Sequence, residues 1–511
     1  MRHILPDSLQ NPLPLHGRDR TGHIERTAQA QLPPHTLMER AGNAVYRLGR
    51  ALYPHARHVW IACGPGNNGG DGLLAAAALR QEGLSNVTVT WRADETRLPS
   101  DAQHALARAR AAGVAFANEP PADADFAIDA LLGLGIRTMP QGPIAKDIRA
   151  LLTFEHPVLC VDLPSGLHPD TGTWLVEPPY QPRAPRHTLS LLTLKPGLFT
   201  GQGRDASGDI WLDDLGIDTA SIEPDARLHA PPQLSTARRQ RHDAHKGQHG
   251  DLIILGGQSV TFNGQGMTGA ALLAARAGLF SGAGRVYLGL LGDTGTHRMV
   301  VDPVCPEVML RNADELVQSD LAATGTTVCG CGGGLAVRGI LPHVLERSPR
   351  LVLDADALNA IADETQWQKS LIERRRQGKI TVLTPHPLEA ARLLATDTRN
   401  IQADRLAVCK QLSERFGCTV VLKGSGSIVC APGLTPAINP TGNTLLATAG
   451  TGDVLAGVLG ARLASEQSSC DTKRAFDLSC DAVYRHGLAA TRWPTEAPFS
   501  ASLLAAAMTP G

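Results

Sequence analysis

Two successive α/β domains are the fold this sequence predicts, and three observations carry the prediction. Strand-like apolar runs alternate with helical patterns through both halves, as in mainly parallel sheets covered by helices. Glycine is abundant at 52 residues while aromatics make up only 4% of the chain, which suits layers packed through small side chains. The length of 511 residues exceeds one ordinary core at roughly 100–200 residues per domain. A Rossmann-like open sheet is expected over residues 1–225 and a second, larger α/β domain over 235–511.

The first half reads as strand His58 to Gly64 with a helix over Asp71 to Gly83, strand Asn86 to Arg92 with helix Ser100 to Gly113, and strand Ala124 to Gly133 with helix Ala145 to Phe154. Strand Pro157 to Gly166 and a β-rich tail over His187 to Leu198 and Gly208 to Leu215 follow. From Glu223 to Lys246 the pattern gives way to prolines, polar residues and the basic run Arg238-Arg239-Gln240-Arg241, so the linker is expected there with its charges solvated. The second half restarts with strand Asp251 to Gly256, helix Met267 to Ser281 and strand Gly284 to Leu290. Strands Thr326 to Gly330, Arg350 to Asp354, Ile380 to Thr384 and Thr419 to Lys423 come next, with helices from Pro387, after Asp453 and around Asp477 to Thr491. No fixed-period repeat relates the halves.

Charge excludes some partners. The 48 Lys and Arg balance 49 Asp and Glu, leaving no broad field for nucleic acid or anionic lipid. No apolar run approaches the ~20 residues of a membrane span, and the opening Met1 to Asp7 has no signal-peptide core. A cytoplasmic protein with small-molecule partners is expected, with a homo-oligomer left open. The ten cysteines lack paired spacing and several sit in apolar runs, so buried reduced thiols are expected; Cys329-Gly330-Cys331 has no second pair at metal-ligand spacing.

The window Asn439-Pro440-Thr441-Gly442-Asn443 with Ala447-Thr448-Ala449-Gly450-Thr451-Gly452-Asp453 puts a glycine-rich turn and a carboxylate before a small, apolar helical run. Unpaired amides and the helix dipole would meet a phosphate there. A carboxylate beside a phosphate repels it, so Asp453 is read as a base for a substrate hydroxyl. Its alternative is a helix cap, which leaves the preceding glycines unexplained. Three segments should join the turn: His245-Lys246-Gly247 leading to Leu255-Gly256-Gly257, Thr384 to Glu389, and Lys423-Gly424-Ser425-Gly426-Ser427. The last offers flexible amide donors, hydroxyls and a cation for a diphosphate without being a Walker A loop. His386, fixed between Pro385 and Pro387, is either a placed imidazole or a turn residue.

In the first half, Gly64-Pro65-Gly66-Asn67-Asn68-Gly69-Gly70-Asp71-Gly72 lies between a strand and a helix, where an open α/β sheet binds ligands. It contains GxGxxG, and with Asp94 near the next strand end a dehydrogenase remains an option; that reading leaves the extra Asn, Gly and Asp residues unexplained. Asp129 and Asp162 close later strands in Ile128 to Gly135 and Val161 to Gly166. Asn68, Asp129 and Ser165 then supply hard oxygens for a cation, with Asp162 left for proton transfer. Helix capping is the competing reading for either aspartate alone.

Met38-Glu39-Arg40-Ala41-Gly42, the GNNGGDG loop, DALLGLG, VDLPSG and Leu194-Lys195-Pro196-Gly197-Leu198 together resemble the N-terminal domain of the YjeF family, the NAD(P)H-hydrate epimerases. The resemblance implies that Asn67, Asn68, Gly69, Gly70 and Asp71, with Gly133, Leu134, Gly135, Ile136, Arg137, Thr138 and Met139, line a nucleotide site. It implies that Asn68, Asp129 and Ser165 hold potassium and that Asp162 contacts the hydrated nicotinamide ring. The second-half segments, with Gly269 to Gly284 and Val352 to Asn359, resemble the ADP/ATP-dependent NAD(P)H-hydrate dehydratases of ribokinase-like fold. By that resemblance Ala270, Gly334, His386 and Asp453 contact the hydrate, while Lys423, Gly424, Ser425, Gly426, Ser427 and Gly452 hold ADP or ATP with Mg²⁺. The whole chain thus resembles the bifunctional NAD(P)H-hydrate repair enzymes. Two rivals are a small-alcohol or vitamin-precursor kinase, which shares the glycine turn and Asp, and a first half reduced to a scaffold.

Overall fold

In the computed structural model the described residues are 1–5, 8–84, 86–176, 184–231, 249–292, 300–466 and 470–510. The chain divides into two compact units, Met1–Leu5 with Pro14–Ala226, and Pro6–Leu13 with Arg227–Gly511.

The first unit is built on an eight-stranded sheet in the spatial order Arg2–Ile4, Asp209–Asp213, Arg186–Leu191, Val158–Val161, Phe126–Ala130, His58–Cys63, Asn86–Trp91, Ala115–Ala117. All neighbours pair parallel except the first two. Its central strands are buried on both faces, as Val59 to Cys63 and Phe126 to Ala130 show, so their apolar runs are continuous rather than alternating. The order steps in opposite directions from His58–Cys63 and Phe126–Ala130, which opens a crevice at their carboxyl ends. The GNNGGDG segment is not a loop ahead of a helix at Asp71: the helix starts at Asn67 and runs to Gln81 with Gly66 as its N-cap. Gly70 N–H already bonds the Gly66 carbonyl at 3.2 Å, so the asparagines form the first turn.

The second unit holds a sheet whose strands follow the order Met309–Asn312, Arg285–Leu290, Asp251–Gly256, Thr326–Cys329, Arg350–Leu353, Ile380–Leu383, Thr419–Leu422, Ile428–Cys430, Ala437–Ile438, Ala226–Leu228. Ladders from Met309–Asn312 through Thr419–Leu422 are parallel, and Ile428–Cys430 runs antiparallel to both its neighbours. The helix Thr451–Ala464 is apolar all round and buried, packing with helix Thr268–Phe280 into the main core.

The expected linker holds a strand the sequence reading missed. Ala226–Leu228 pairs parallel with Ala437–Ile438, burying Ala226 and Leu228 and exposing Arg227, a three-residue alternation too short to stand out among prolines. The basic run Arg238 to Arg241 and the segment His245 to Gly247 lie outside the described residues. All ten cysteines are free thiols and nine are buried. No helix among the described residues is long and apolar enough to cross a membrane.

Candidate active sites

At the carboxyl end of the first sheet lies a cavity of about 500 Å³ lined by Asn67, Asn68, Asp71, Gly133, Leu134, Gly135, Ile136 and Asp162, together with Glu25 and Asp101. The glycine at the strand exit is required for the close approach: a Cβ on Gly64 would fall inside the backbone carbonyl of Leu131. Gly69 and Gly70 turn toward Gly64 and Met38 instead of lining the cavity. Arg137, Thr138 and Met139 stand exposed outside its wall.

Asp162 ends strand Val158–Val161 in the left-handed region at φ 67°, uncommon for a residue with a side chain. Two backbone bonds hold it there, its own N–H to Leu189 carbonyl at 2.7 Å and the Leu191 N–H to its Oδ1 at 3.2 Å. Its Oδ1 is paired with the ammonium of Lys195, which is 0% exposed and also donates to the Leu191 carbonyl at 2.8 Å and Ser190 Oγ at 3.3 Å. A Cβ on Gly133 would lie 3.4 Å from Asp162 Oδ2 and 3.2 Å from Asn68 Oδ1, so those two oxygens border the same wall. Lys195 lies within the Leu194 to Leu198 motif, and that motif is the sequence signal for it.

Asp129 and Ser165 meet directly. Ser165 Oγ donates to Asp129 Oδ1 at 2.5 Å and Ser165 N–H to Oδ2 at 2.9 Å, while Leu132 N–H donates to Ser165 Oγ at 2.9 Å. Among the described residues Asp129 forms no ion pair, and burial pushes its carboxyl above the usual range despite these bonds. A buried carboxylate bonded to the Ser165 hydroxyl and amide, with Asn68 Oδ1 facing Gly133 from the first helical turn, gives hard oxygens with one negative charge, which fits a monovalent cation. Glu25 and Asp71 are raised as well, by burial first and then by Asp162.

In the second unit the helix Thr451–Ala464 begins at Gly450, which caps it at φ 89° without a side-chain bond. Asp453 therefore sits inside the first turn and is not the cap. Burial first, and then Asp354, raise its carboxyl to about 6. Beneath it, Lys423 Nζ donates to Asp354 Oδ1 at 2.6 Å and lies 3.9 Å from Glu389 Oε2; Thr384 Oγ1 completes the set at 2.7 Å from Asp354 Oδ1. Burial works against the Lys423 ammonium, but Asp354 and Glu389 outweigh it and hold it above the usual lysine value. Glu389 is raised to about 7 by burial, with Lys423 opposing. A Cβ on Gly452 would lie 3.5 Å from Lys423 Nζ, so the helix N-terminus and the lysine face one anion position.

His386 proves to be a capping residue. Its Nδ1 accepts from the N–H groups of Leu388 and Glu389 at 3.1 and 3.2 Å, and Glu389 Oε2 accepts from its N–H at 2.7 Å. Nε2 therefore carries the proton, 3.2 Å from Glu389 Oε1. Gly334, at φ 54°, donates its N–H to Asp356 Oδ2 at 2.8 Å, and half-buried Ala270 borders Gly332 of the same turn. Under the Lys423 to Ser427 loop lies Arg405, 1% exposed, whose guanidinium donates to the carbonyls of Leu422, Lys423 and Gly426. His486 Nε2 lies 2.9 Å from the Thr451 carbonyl, and burial pulls its imidazole down to about 4, so the neutral ring donates there. Sequence reasoning found neither, since a lone Arg or His on a helix has no local signature.

Cys331, Asp354 and Asp453 present ligand atoms within 4.8 Å of one another. Burial first, then Asp453 and Asp354, keep the thiol far up and neutral. The carboxylate oxygens fit a hard cation such as Mg²⁺; the thiol does not. Cys329, the other thiol of the Cys-Gly-Cys run, belongs to a strand and is not part of the group.

The family model described as YjeF-related protein N-terminus matches residues 34–197, and that described as NAD(P)H-hydrate dehydratase matches residues 253–509. The bifunctional NAD(P)H-hydrate repair enzyme Nnr of Escherichia coli (strain K12) is 36% identical over 92% of this chain and 87% of its own length. The ADP-dependent (S)-NAD(P)H-hydrate dehydratase of Neisseria meningitidis is 38% identical over 55% of this chain and 88% of that protein. A solved ADP/ATP-dependent NAD(P)H-hydrate dehydratase from Bacillus subtilis, co-crystallised with ATP/Mg²⁺, is 28% identical, covering 52% of this chain and 90% of that one, with a TM-score of 0.42. These relatives do not favour a small-alcohol kinase. The chain belongs to the bifunctional NAD(P)H-hydrate repair enzymes, an isomerase and a lyase on one polypeptide.

Proposed function

We propose that residues 1–225 interconvert the R and S forms of NAD(P)H-hydrate and that residues 235–511 dehydrate the S form at the expense of ADP or ATP. Hydroxide is a poor leaving group, so the second site phosphorylates the substrate hydroxyl and the phosphate then departs. Asp453, raised to about 6, accepts the hydroxyl proton at neutral pH. Lys423 and the first-turn amides at Gly452 hold the transferring phosphoryl group. The Gly424 to Ser427 loop, fixed from below by Arg405, carries the rest of the nucleotide, and Ala270, Gly334 and His386 border the hydrate. Mg²⁺, when bound, neutralises phosphate charge; Asp354, whose Oδ1 is taken by Lys423 and Thr384, offers Oδ2 to it. In the first site Asn67, Asn68 and Asp71 with Gly133 to Ile136 bind the nucleotide, Asn68, Asp129 and Ser165 hold potassium, and Asp162 moves a proton at the ring. Potassium, when bound, compensates the buried Asp129 charge. The enzyme's location is proposed to be cytoplasmic.

The observation that carries this reading is half-buried Asp453 beside the Lys423–Asp354 pair at a helix N-terminus. Incubating the protein with one purified hydrate epimer tests it. Without ADP the epimers should scramble; with ADP, reduced cofactor and free phosphate should appear together. Accumulation of a stable phosphorylated product would instead establish a kinase.

A further inference from the structure

The first site contains a second carboxyl group that this mechanism leaves idle. Glu25, on the helix Arg18–Gln31, lines the same cavity as Asp162. It shares that lining with Asn67 and, among the described residues, forms no ion pair. Asp162 differs in kind, because the buried ammonium of Lys195 lies against it. Of the four carboxyl groups that line the cavity, Asp162 is paired with Lys195 and Asp101 with His35, while Glu25 and Asp71 form no ion pair among the described residues.

We propose that Glu25 is the proton donor that lets the hydrate oxygen depart during epimerisation, with Asp162 as the acceptor from the water that returns. The proposal rests on the epimerase reading of this cavity and names a second reacting group within it. The hydroxyl-bearing ring carbon adjoins the ring nitrogen. Its C–O bond breaks with the electron pair leaving on oxygen, which takes the Glu25 proton and becomes water, while the nitrogen lone pair forms a C=N bond. The carbon is then planar. Water adds from the opposite face, the π pair returns to nitrogen, and the surplus proton passes to Asp162. The opposite inversion runs the same steps backward; for repeated inversion in one direction Asp162 returns its proton to solvent water and Glu25 takes one from it, so the cycle closes without an oxidant.

The surroundings of Glu25 support a retained proton. Burial and the charge of Asp162 push its carboxyl up, against Asn67, Lys195 and Arg26, which pull it down. Asp71, in the same lining, is raised as well, by burial first and then by Asp162 and Glu25. A group of this kind contributes on the order of 10²–10⁴ in rate.

Glu25→Gln keeps the shape and a polar partner for Asn67. Its epimerisation kcat should fall on the order of 10²–10⁴-fold with KM nearly unchanged, Glu25→Asp should recover part of the loss, and wild-type inversion in ¹⁸O-water should place one solvent oxygen in each inverted molecule. Epimerisation by folded Glu25→Gln within about threefold of wild type, or inversion without solvent oxygen, overturns the role of Glu25. Loss of kcat in Glu25→Gln with no recovery in a folded Glu25→Asp also counts against it. Failure of the wild type itself to interconvert the epimers would instead remove the epimerase reading.

Discussion

Replacing Asp453 by Asn should make the second unit more stable and nearly inactive in dehydration. The sign follows from where the carboxylate sits. Its affinity for a proton is raised in the fold from the usual range to about 6, so the ionised form costs more in the native state than in the unfolded chain. At 1.36 kcal/mol for each tenfold change in proton affinity, that is about 3 kcal/mol. Below the unfolded value both states are protonated and nothing is lost. Stability then falls as pH rises toward 6, and above it the full penalty applies. Asn cannot ionise and escapes it. Calorimetry of Asp453→Asn should therefore show a gain of up to about 3 kcal/mol at pH 8 that disappears near pH 4. Dehydration should drop on the order of 10²–10⁴-fold with ADP binding retained, and the wild-type rate should rise with pH through about 6 as the base ionises. A capping role would predict little change in stability, because Asn caps a helix as well as Asp does, with chemistry intact. A variant that is destabilised and still dehydrates refutes the reasoning.

Other perturbations separate the first unit's parts. Lys195→Met leaves Asp162 buried without its cation and should cost about 3–5 kcal/mol, seen as an earlier calorimetric transition with epimerisation lost and ADP-dependent dehydration kept. Gly64→Ala drives a methyl group into the Leu131 carbonyl and should destabilise the first unit on the order of several kcal/mol, again with dehydration preserved. Exchange of potassium for tetramethylammonium should slow epimerisation, and Asp129→Ala should abolish the response; an unchanged rate would argue that Asp129 and Ser165 serve only each other.

Much of this was legible in the residues because strand ends and glycine turns are local. Asn68 and Asp162 reach one wall, and Asp129 meets Ser165, because parallel strands deliver their carboxyl ends to a common edge. The limits are equally physical. Lys195 reaches Asp162 across a gap of 33 residues, and Arg405 reaches the Lys423 loop from a separate helix, so neither pairing has a sequence period. The Arg137 to Met139 stretch was read as lining by continuity with Gly133 to Ile136, yet it runs out into solvent. Gly69 and Gly70 look like ligand-facing glycines and instead permit close packing. The prolines around His386 favour a placed imidazole over a turn residue, but nothing in the sequence shows that its Nδ1 accepts two amides as a helix cap.

The central claim, two sites acting in series on one chain, is tested most directly by following the return of reduced-cofactor absorbance from a mixture of R and S hydrates with excess ADP. Wild type should convert the whole mixture, whereas Asp162→Asn should convert the S fraction at the normal rate and then stall at the pace of spontaneous epimerisation. Complete and equally fast conversion by Asp162→Asn would contradict the account.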